Sequence, residues 1–223
     1  MLDVEGTLFQ STVRLPGTEL DSTVWQGLAQ ALGKAAESAE IETHKLWQAG
    51  GYGNYLDWMS ATIDIHIKHG MTRVLFDAVV SGAVYQPNVV QTIQSLDRST
   101  YEPVLVSGGF RELARRAQLD MQVRHAFAAC EYLFDSAGHI AGYNLLPCDF
   151  AGKIDFVRLM LREYALGEQD WIFIGDGAND VEIALAAPFS IGMRPHPALR
   201  EVVDIVITDF AQLPAVLRDY EAS

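Results

Sequence analysis

The chain has 223 residues, about half of them apolar and a fifth charged, the balance of a globular chain long enough to bury a core without disulfides or structural metal. Its formal net charge of −13 repels nucleic acid and anionic lipid, so neither is expected as a partner. An anionic small molecule is not excluded, because a metal ion and a few amides can reverse the sign locally.

The N-terminus, Met1-Leu-Asp-Val-Glu-Gly6, carries no basic and apolar leader pattern, and no run approaches the roughly 18 apolar residues of a membrane helix. Cys130 and Cys148 fall in no CxxC or metal-ligand spacing; they are expected as buried free thiols in a reducing cytoplasm. Leu2-Asp3 closes a first central strand that is either very short or begins upstream of Met1. Residues 14–86 follow as an all-helical insertion, with helical patterns over Val24–Leu32, His44–Gln48, Tyr55–Ile67 and Arg73–Val80. Its entry, Leu15-Pro-Gly-Thr18, and its exit, Tyr85-Gln-Pro-Asn88, are turn-rich. His44, His66 and His69 in this segment read as solvated or capping groups.

Beyond the insertion, short apolar runs ending in Gly, Ser or Asp alternate with helical patterns. Pro103–Ser107, Trp171–Asp176, Phe189–Met193 and Val203–Ile207 read as buried strands; Phe110–Leu119, Ile154–Tyr164 and Val181–Ala186 read as helices. Between them, residues 124–145 predict a β-hairpin around Asp135-Ser-Ala-Gly138. The pattern is that of an α/β fold with a doubly wound parallel sheet, built from residues 1–13 and 87–223.

Four segments carry chemistry-bearing residues. Asp3-Val-Glu-Gly-Thr-Leu8 places two carboxylates two apart at a strand end, where open α/β sheets bind ligands, although a turn with solvated acids has the same composition. Val106-Ser-Gly-Gly-Phe110 offers a hydroxyl and two glycine amides before a helix; Ser107 also reads as an N-cap, and both roles can hold. Lys153 opens the helix after Asp149-Phe-Ala-Gly152; alone it reads as a surface charge. Ile174-Gly-Asp-Gly-Ala-Asn-Asp180 packs three oxygen-bearing side chains into a Gly-rich strand-to-helix turn, a setting that hard cations such as magnesium favour.

Together these segments, in this order and with 23 positions between Lys153 and Asp176, resemble the haloacid-dehalogenase-like superfamily, and most closely its phosphoserine-phosphatase branch. The resemblance implies a magnesium-dependent phosphatase acting on a small phosphorylated metabolite, with residues 14–86 as a helical cap that closes over the core. It implies Asp3 as nucleophile, forming an aspartyl-phosphate, and Glu5 as general acid and then base. Magnesium would be held by Asp3, Asp176 and the backbone carbonyl of Glu5, with Asp180 orienting its water ligands. Ser107, the amides of Gly108 and Gly109, Lys153 and Asn179 would bind the phosphoryl oxygens.

Two departures from the family pattern bear on specificity. The acid of the family is usually Asp; here it is Glu5, whose presence also argues against a dehalogenase, which needs no proton donor there. Laid beside the branch's cap, Thr62 stands where an arginine holds the substrate carboxylate, and phosphoserine itself is then not the expected substrate. Tyr52, Tyr55, Trp58 and Met59 lie nearby, and Tyr55, Trp58, Met59 and Thr62 recur at helical spacing. Such a stripe is either core packing or the wall of a site for an apolar or ring-bearing substrate. A phosphotransferase passing the group to an alcohol, or an inactive binding protein on the same fold, are the alternatives; the oligomeric state is left open.

Overall fold

The computed structural model describes residues 1–222. In chain order, β1 (Phe9–Leu15) and β2 (Thr18–Leu20) precede helices α1 (Val24–Leu32), α2 (Lys34–Gln48), α3 (Tyr55–Lys68) and α4 (Arg73–Gly82), and β3 (Ala83–Tyr85) ends the segment. Next come α5 (Val89–Ser95), β4 (Val104–Phe110), α6 (Arg111–Asp120), β5 (His125–Phe134) and β6 (Ile140–Leu145). The chain finishes with α7 (Gly152–Glu163), β7 (Ile172–Gly175), α8 (Val181–Ala186), β8 (Phe189–Met193), α9 (Pro197–Arg200), β9 (Ile205–Ile207) and α10 (Leu213–Glu221). Two compact units result. The first comprises Met1–Gln10, Tyr85–Ala128 and the chain from Cys148 onward; the second comprises Ser11–Val84 and Ala129–Pro147.

The first unit is organised around Leu2. Leu2 forms parallel bridges to Leu105 of β4 on one side and Ile174 of β7 on the other. Its N–H donates to Val104 O at 2.8 Å, its carbonyl accepts from Val106 N at 2.9 Å, and Asp3 N donates to Ile174 O at 2.9 Å. Leu2 is therefore paired on both sides, at the centre of the sheet. From it, β4 and then β5 lie to one side, and β7, β8 and β9 to the other, the last three in parallel register. This reversal at Leu2 is a topological switch point, and the carboxyl ends of Leu2-Asp3, β4 and β7 open onto the crevice where such sheets bind ligands. The apolar runs lack alternation because both faces are covered: Val104, Leu105, Val106, Phe173 and Ile191 are all buried. Phe173 packs with Val157, Ile183, Ala184 and Leu199, so β7 is clamped by α7, α8 and α9 directly behind the acidic turn.

The second unit holds the four helices, with side-chain caps that start three of them. Thr23 and Gln26 form a capping box on α1, Asn54 Oδ1 accepts from Asp57 N at 3.0 Å on α3, and Thr72 Oγ1 accepts from Leu75 N at 3.3 Å on α4. α2 is much longer than the His44–Gln48 pattern, because Ala35, Ala36, Glu37, Ala39 and Glu40 favour helix without supplying an apolar stripe. The expectation of an all-helical 14–86 segment is corrected. Residues 18–20 pair antiparallel with 13–15, and Pro16-Gly17, in the turn-rich entry, is the hairpin turn; Gly17 takes φ +81°, which a glycine allows without strain. The strand signal was Phe9 and Val13, both buried and separated by polar residues.

The β5–β6 hairpin forms as its sequence predicts, with a bulge between Leu133 and Phe134, and its residues from 129 onward belong to the second unit. There Arg73 N donates to Gly138 O at 2.8 Å, and Phe76 packs against Tyr132 and Phe134 at 5.3 and 5.7 Å. His66 is not solvated. It is fully buried, and its Nδ1 lies 2.6 Å from Tyr132 Oη, because the hairpin that reaches it lies some 66 positions away in sequence. His44 is exposed and stacks on Trp58, while His69 is the C-cap of α3. Both cysteines are buried free thiols. Among the described residues no helix is long and apolar enough to cross a membrane.

Candidate active site

All of the chemistry-bearing residues singled out in the core motifs lie in the first unit. Asp3 ends the central strand and is nearly buried, with Oδ1 accepting from Lys153 Nζ at 2.7 Å. Lys153 sits in the first turn of α7, fully buried, and also donates to Asp180 Oδ1 at 2.6 Å. The surface-charge reading of this lysine is thereby excluded. Burial alone would drive the ammonium to lose its proton, but Asp180, Asp3 and Asp149 outweigh burial and hold Lys153 well above the usual lysine range.

The turn after β7 is braced by Asp180. Its Oδ2 accepts from the backbone amides of Asp176 and Gly177 at 3.1 and 3.0 Å, and its other oxygen takes Lys153. Asp176 is thus aimed back at the first motif, where Thr7 Oγ1 donates to its Oδ1 at 2.7 Å. Gly6 explains itself here. It adopts φ +85°, and a Cβ at this position would lie 2.1 Å from Asp176 Oδ2. Gln86 Nε2 holds the carbonyl of Gly6 at 2.9 Å, fixing the loop from its other side.

Carboxyl oxygens of Asp3, Asp176 and Asp180 lie within 4.8 Å of one another. Burial, then the neighbouring Asp180, push Asp176 up to about 7, with Glu5 adding to the repulsion. Burial raises Asp3 well above the carboxylate range, against the pull of Lys153. One lysine does not balance this many acids. An all-oxygen donor set with surplus negative charge in the interior fits a hard divalent cation.

Ser107 is buried midway along β4, with Oγ accepting from Gly109 N at 3.0 Å. It is not an N-cap: the strand runs on through both glycines, and α6 starts at Arg111 with Phe110 at the cap position. Asn179 donates from Nδ2 to Asp149 Oδ1 at 2.7 Å. Asp149, Thr7, Gly6 and Gln86 were not singled out by the sequence reading. Thr7 and Gly6 lie inside the first motif and were legible as part of it; Asp149 and Gln86 carry no local signal, since their partners are 30 and 80 positions away.

The residues named on residues 52–62 lie in the second unit. Met59 and Thr62 are buried, and Thr62 Oγ1 donates to Trp58 O at 3.2 Å. Trp58 stacks on Trp47 at 5.3 Å and meets Tyr55 edge-on at 5.9 Å; Tyr52 is half-buried. Tyr55, Trp58 and Thr62 therefore have packing partners inside their own unit.

Phosphoserine phosphatase SerB2 of Mycobacterium tuberculosis is 30% identical over 198 residues, covering 86% of this chain and 47% of the relative. Phosphoserine phosphatase of Lactococcus lactis is 28% identical over 142 residues, covering 62% of this chain and 64% of that protein. The chain thus spans less than two thirds of the length of either relative. In fold it is similar to the phospho-aspartyl intermediate analogue of phosphoserine phosphatase, with a TM-score of 0.76 at 17% identity and 96% of each chain covered. The family model for haloacid dehalogenase-like hydrolases matches residues 1–188, and the chain belongs to that family.

Proposed function

We propose that the protein is a magnesium-dependent phosphomonoester hydrolase that acts on a small phosphorylated metabolite through an aspartyl-phosphate on Asp3. The observation that carries this reading is Asp3 at the switch point of the sheet, tied to Lys153 at 2.7 Å and facing Asp176 and Asp180 across a cluster of carboxyl oxygens. In this reading a carboxylate oxygen of Asp3 attacks phosphorus, the bond to the leaving oxygen breaks, and Glu5 gives that oxygen its proton. Water then attacks the acyl phosphate, passes a proton to Glu5, and orthophosphate leaves with Asp3 regenerated. Ser107, the Gly108 and Gly109 amides, Lys153 and Asn179 receive the phosphoryl oxygens, where preorganised donors stabilise the spreading charge. Asp3, Asp176 and the backbone carbonyl of Glu5 would hold magnesium, with Asp180 orienting its water ligands. The ion supplies charge neutralisation between an anionic nucleophile and an anionic phosphate.

A leaving group without a carboxylate fits best. Thr62, laid beside the branch's carboxylate-holding arginine, carries no charge. The aromatic residues Tyr52, Tyr55 and Trp58 would favour a larger, less charged group. The buried free thiols suit a cytoplasmic protein.

The test is phosphate release, with magnesium, from phosphoserine and from sugar, aryl and polyol phosphates on one preparation. Turnover with a covalent phosphate on Asp3, both abolished in Asp3→Asn, supports the reading; an active Asp3→Asn variant refutes it. Phosphorylated product appearing when alcohols are added would make the enzyme a phosphotransferase instead. Phosphoserine leading by about tenfold or more, which is about 1.4 kcal/mol, would overturn the specificity argument.

A further inference from the structure

Asp149 is an acid where an acid is least expected. It stands four residues before Lys153, at the entry to α7, and its carboxyl group meets three of the groups assigned above to phosphoryl binding. Its Oδ1 accepts from Asn179 Nδ2 at 2.7 Å and lies 3.5 Å from Lys153 Nζ. Its Oδ2 fills the space over Gly108, where a Cβ would come within 2.2 Å of it. The side chain is only 9% exposed. Burial raises its proton affinity, while Lys153 and Asn179 favour the charged form.

A buried acid beside a phosphate site opposes anion binding, so its presence there calls for a compensating role. The geometry shows what that is. The terminal torsion of an asparagine is broad, and its two ends are nearly alike in shape. A carboxylate accepts only, so it selects the NH2 end of Asn179 and fixes the amide plane. With one N–H on Asp149, the direction of the second N–H is set. The same carboxyl faces the Lys153 ammonium, and it requires residue 108 to be glycine.

We propose that Asp149 is a positioning residue of the phosphoryl site: it orients the Asn179 amide, and secondarily Lys153, without touching substrate. This rests on the reading of the site as phosphoryl-binding. It predicts that the loss falls mainly on kcat, because a donor misplaced by about 1 Å costs up to about a hundredfold.

The experiment is a double-mutant cycle with an aryl phosphate and magnesium, using Asp149→Ala, Asn179→Ala and the pair. Asp149→Ala should lower kcat about 10- to 100-fold with a smaller change in KM, and the double variant should be no more than about threefold worse than Asn179→Ala alone. Asp149→Asn, which keeps an acceptor oxygen at the same place, should recover most of the loss. Losses that multiply in the double variant, or an Asp149→Ala enzyme equal to the parent, overturn the proposal. A second readout does not need turnover: the side-chain amide protons of Asn179, observed by NMR in asparagine-labelled protein, should be shifted and slow to exchange in the parent and in Asp149→Asn. In Asp149→Ala, or in Asp149→Glu if the alanine variant does not fold, they should move; unchanged resonances refute the contact. An inactive parent with these amide signals intact would instead count against the phosphatase reading and leave the Asp149–Asn179 contact established.

Discussion

The Lys153 ammonium and the Asp3 carboxylate meet at 2.7 Å in the interior, 150 positions apart in sequence. Neither is solvated, so each depends on the other. Removing one member of such a buried pair leaves an uncompensated charge and typically costs about 3–5 kcal/mol. Lys153→Met should therefore lower the melting temperature by roughly 6–20 °C for a chain of this size, in addition to abolishing turnover. Calorimetry checks it. A variant with the parent's melting temperature would show that the carboxylates do not need this lysine.

Gly6 and Gly17 provide a matched pair. Both have φ near +80°, at +85° and +81°, but a Cβ on Gly6 meets Asp176 Oδ2 at 2.1 Å whereas a Cβ on Gly17 meets nothing within 4 Å. Alanine at either position carries the left-handed penalty of about 1–2 kcal/mol. Only Gly6→Ala should also displace Asp176 and lose activity and magnesium affinity by about tenfold or more, an effect of about 1.4 kcal/mol. Gly17→Ala should keep full activity. Equal activity in the two variants would mean that Asp176 is not held where the structure puts it.

Asp176 gives a pH dependence whose sign can be fixed. Its pKa rises from 3.8 to about 7 on folding, chiefly through burial. Between those values the native state binds more protons than the unfolded one, so this group's contribution to stability falls as pH rises through that window. A divalent cation competes with those protons. Added magnesium should raise the melting temperature clearly at pH 8 and little at pH 5.5. Asp176→Asn should raise the metal-free melting temperature at pH 8 and abolish the response to magnesium. A magnesium-insensitive parent at pH 8 would exclude the cation site.

How much of this was legible follows the range of the interactions. The strand after Pro103, the acidic turn behind Trp171–Gly175 and the hairpin around Gly138 are specified by neighbours in sequence, and all three form. Leu2 was hard to place, because its strand status comes from Leu105 and Ile174 and not from its own flanks. Leu15-Pro-Gly-Thr18 was legible as turn-rich, but composition alone does not show that the turn joins two strands. Ser107 looked like a cap because Ser-Gly-Gly resembles a helix start, yet β4 carries the chain through to Phe110. Asp149 and Gln86 could not be found locally, since only the fold brings Asn179 and Gly6 to them. Lys153 looked like a surface charge until four separate segments were taken together.

His66 was misplaced for the same reason, and it carries the last prediction. Its imidazole is fully buried, stacked on Trp25 at 5.8 Å, with Nδ1 2.6 Å from Tyr132 Oη. Burial lowers its pKa from 6.5 to about 4. Between those values the unfolded chain binds the extra proton, so the contribution of His66 to stability is complete above pH 6.5 and is lost as pH falls toward 4. At 1.36 kcal/mol per pKa unit this amounts to about 3 kcal/mol. The opposing slope from Asp176 covers an overlapping range, so the parent's stability curve alone does not isolate it. The difference between parent and His66→Gln does, because Asp176 is common to both. At pH 7 the parent should be the more stable, since the glutamine leaves the ring contacts with Trp25 and Tyr132 unmade. That advantage should shrink by about 3 kcal/mol between pH 7 and pH 4, measured by urea unfolding at each pH. A difference that stays constant across the range would mean that His66 is already accessible to protons in the folded protein, and that the Tyr132 contact does not hold it neutral.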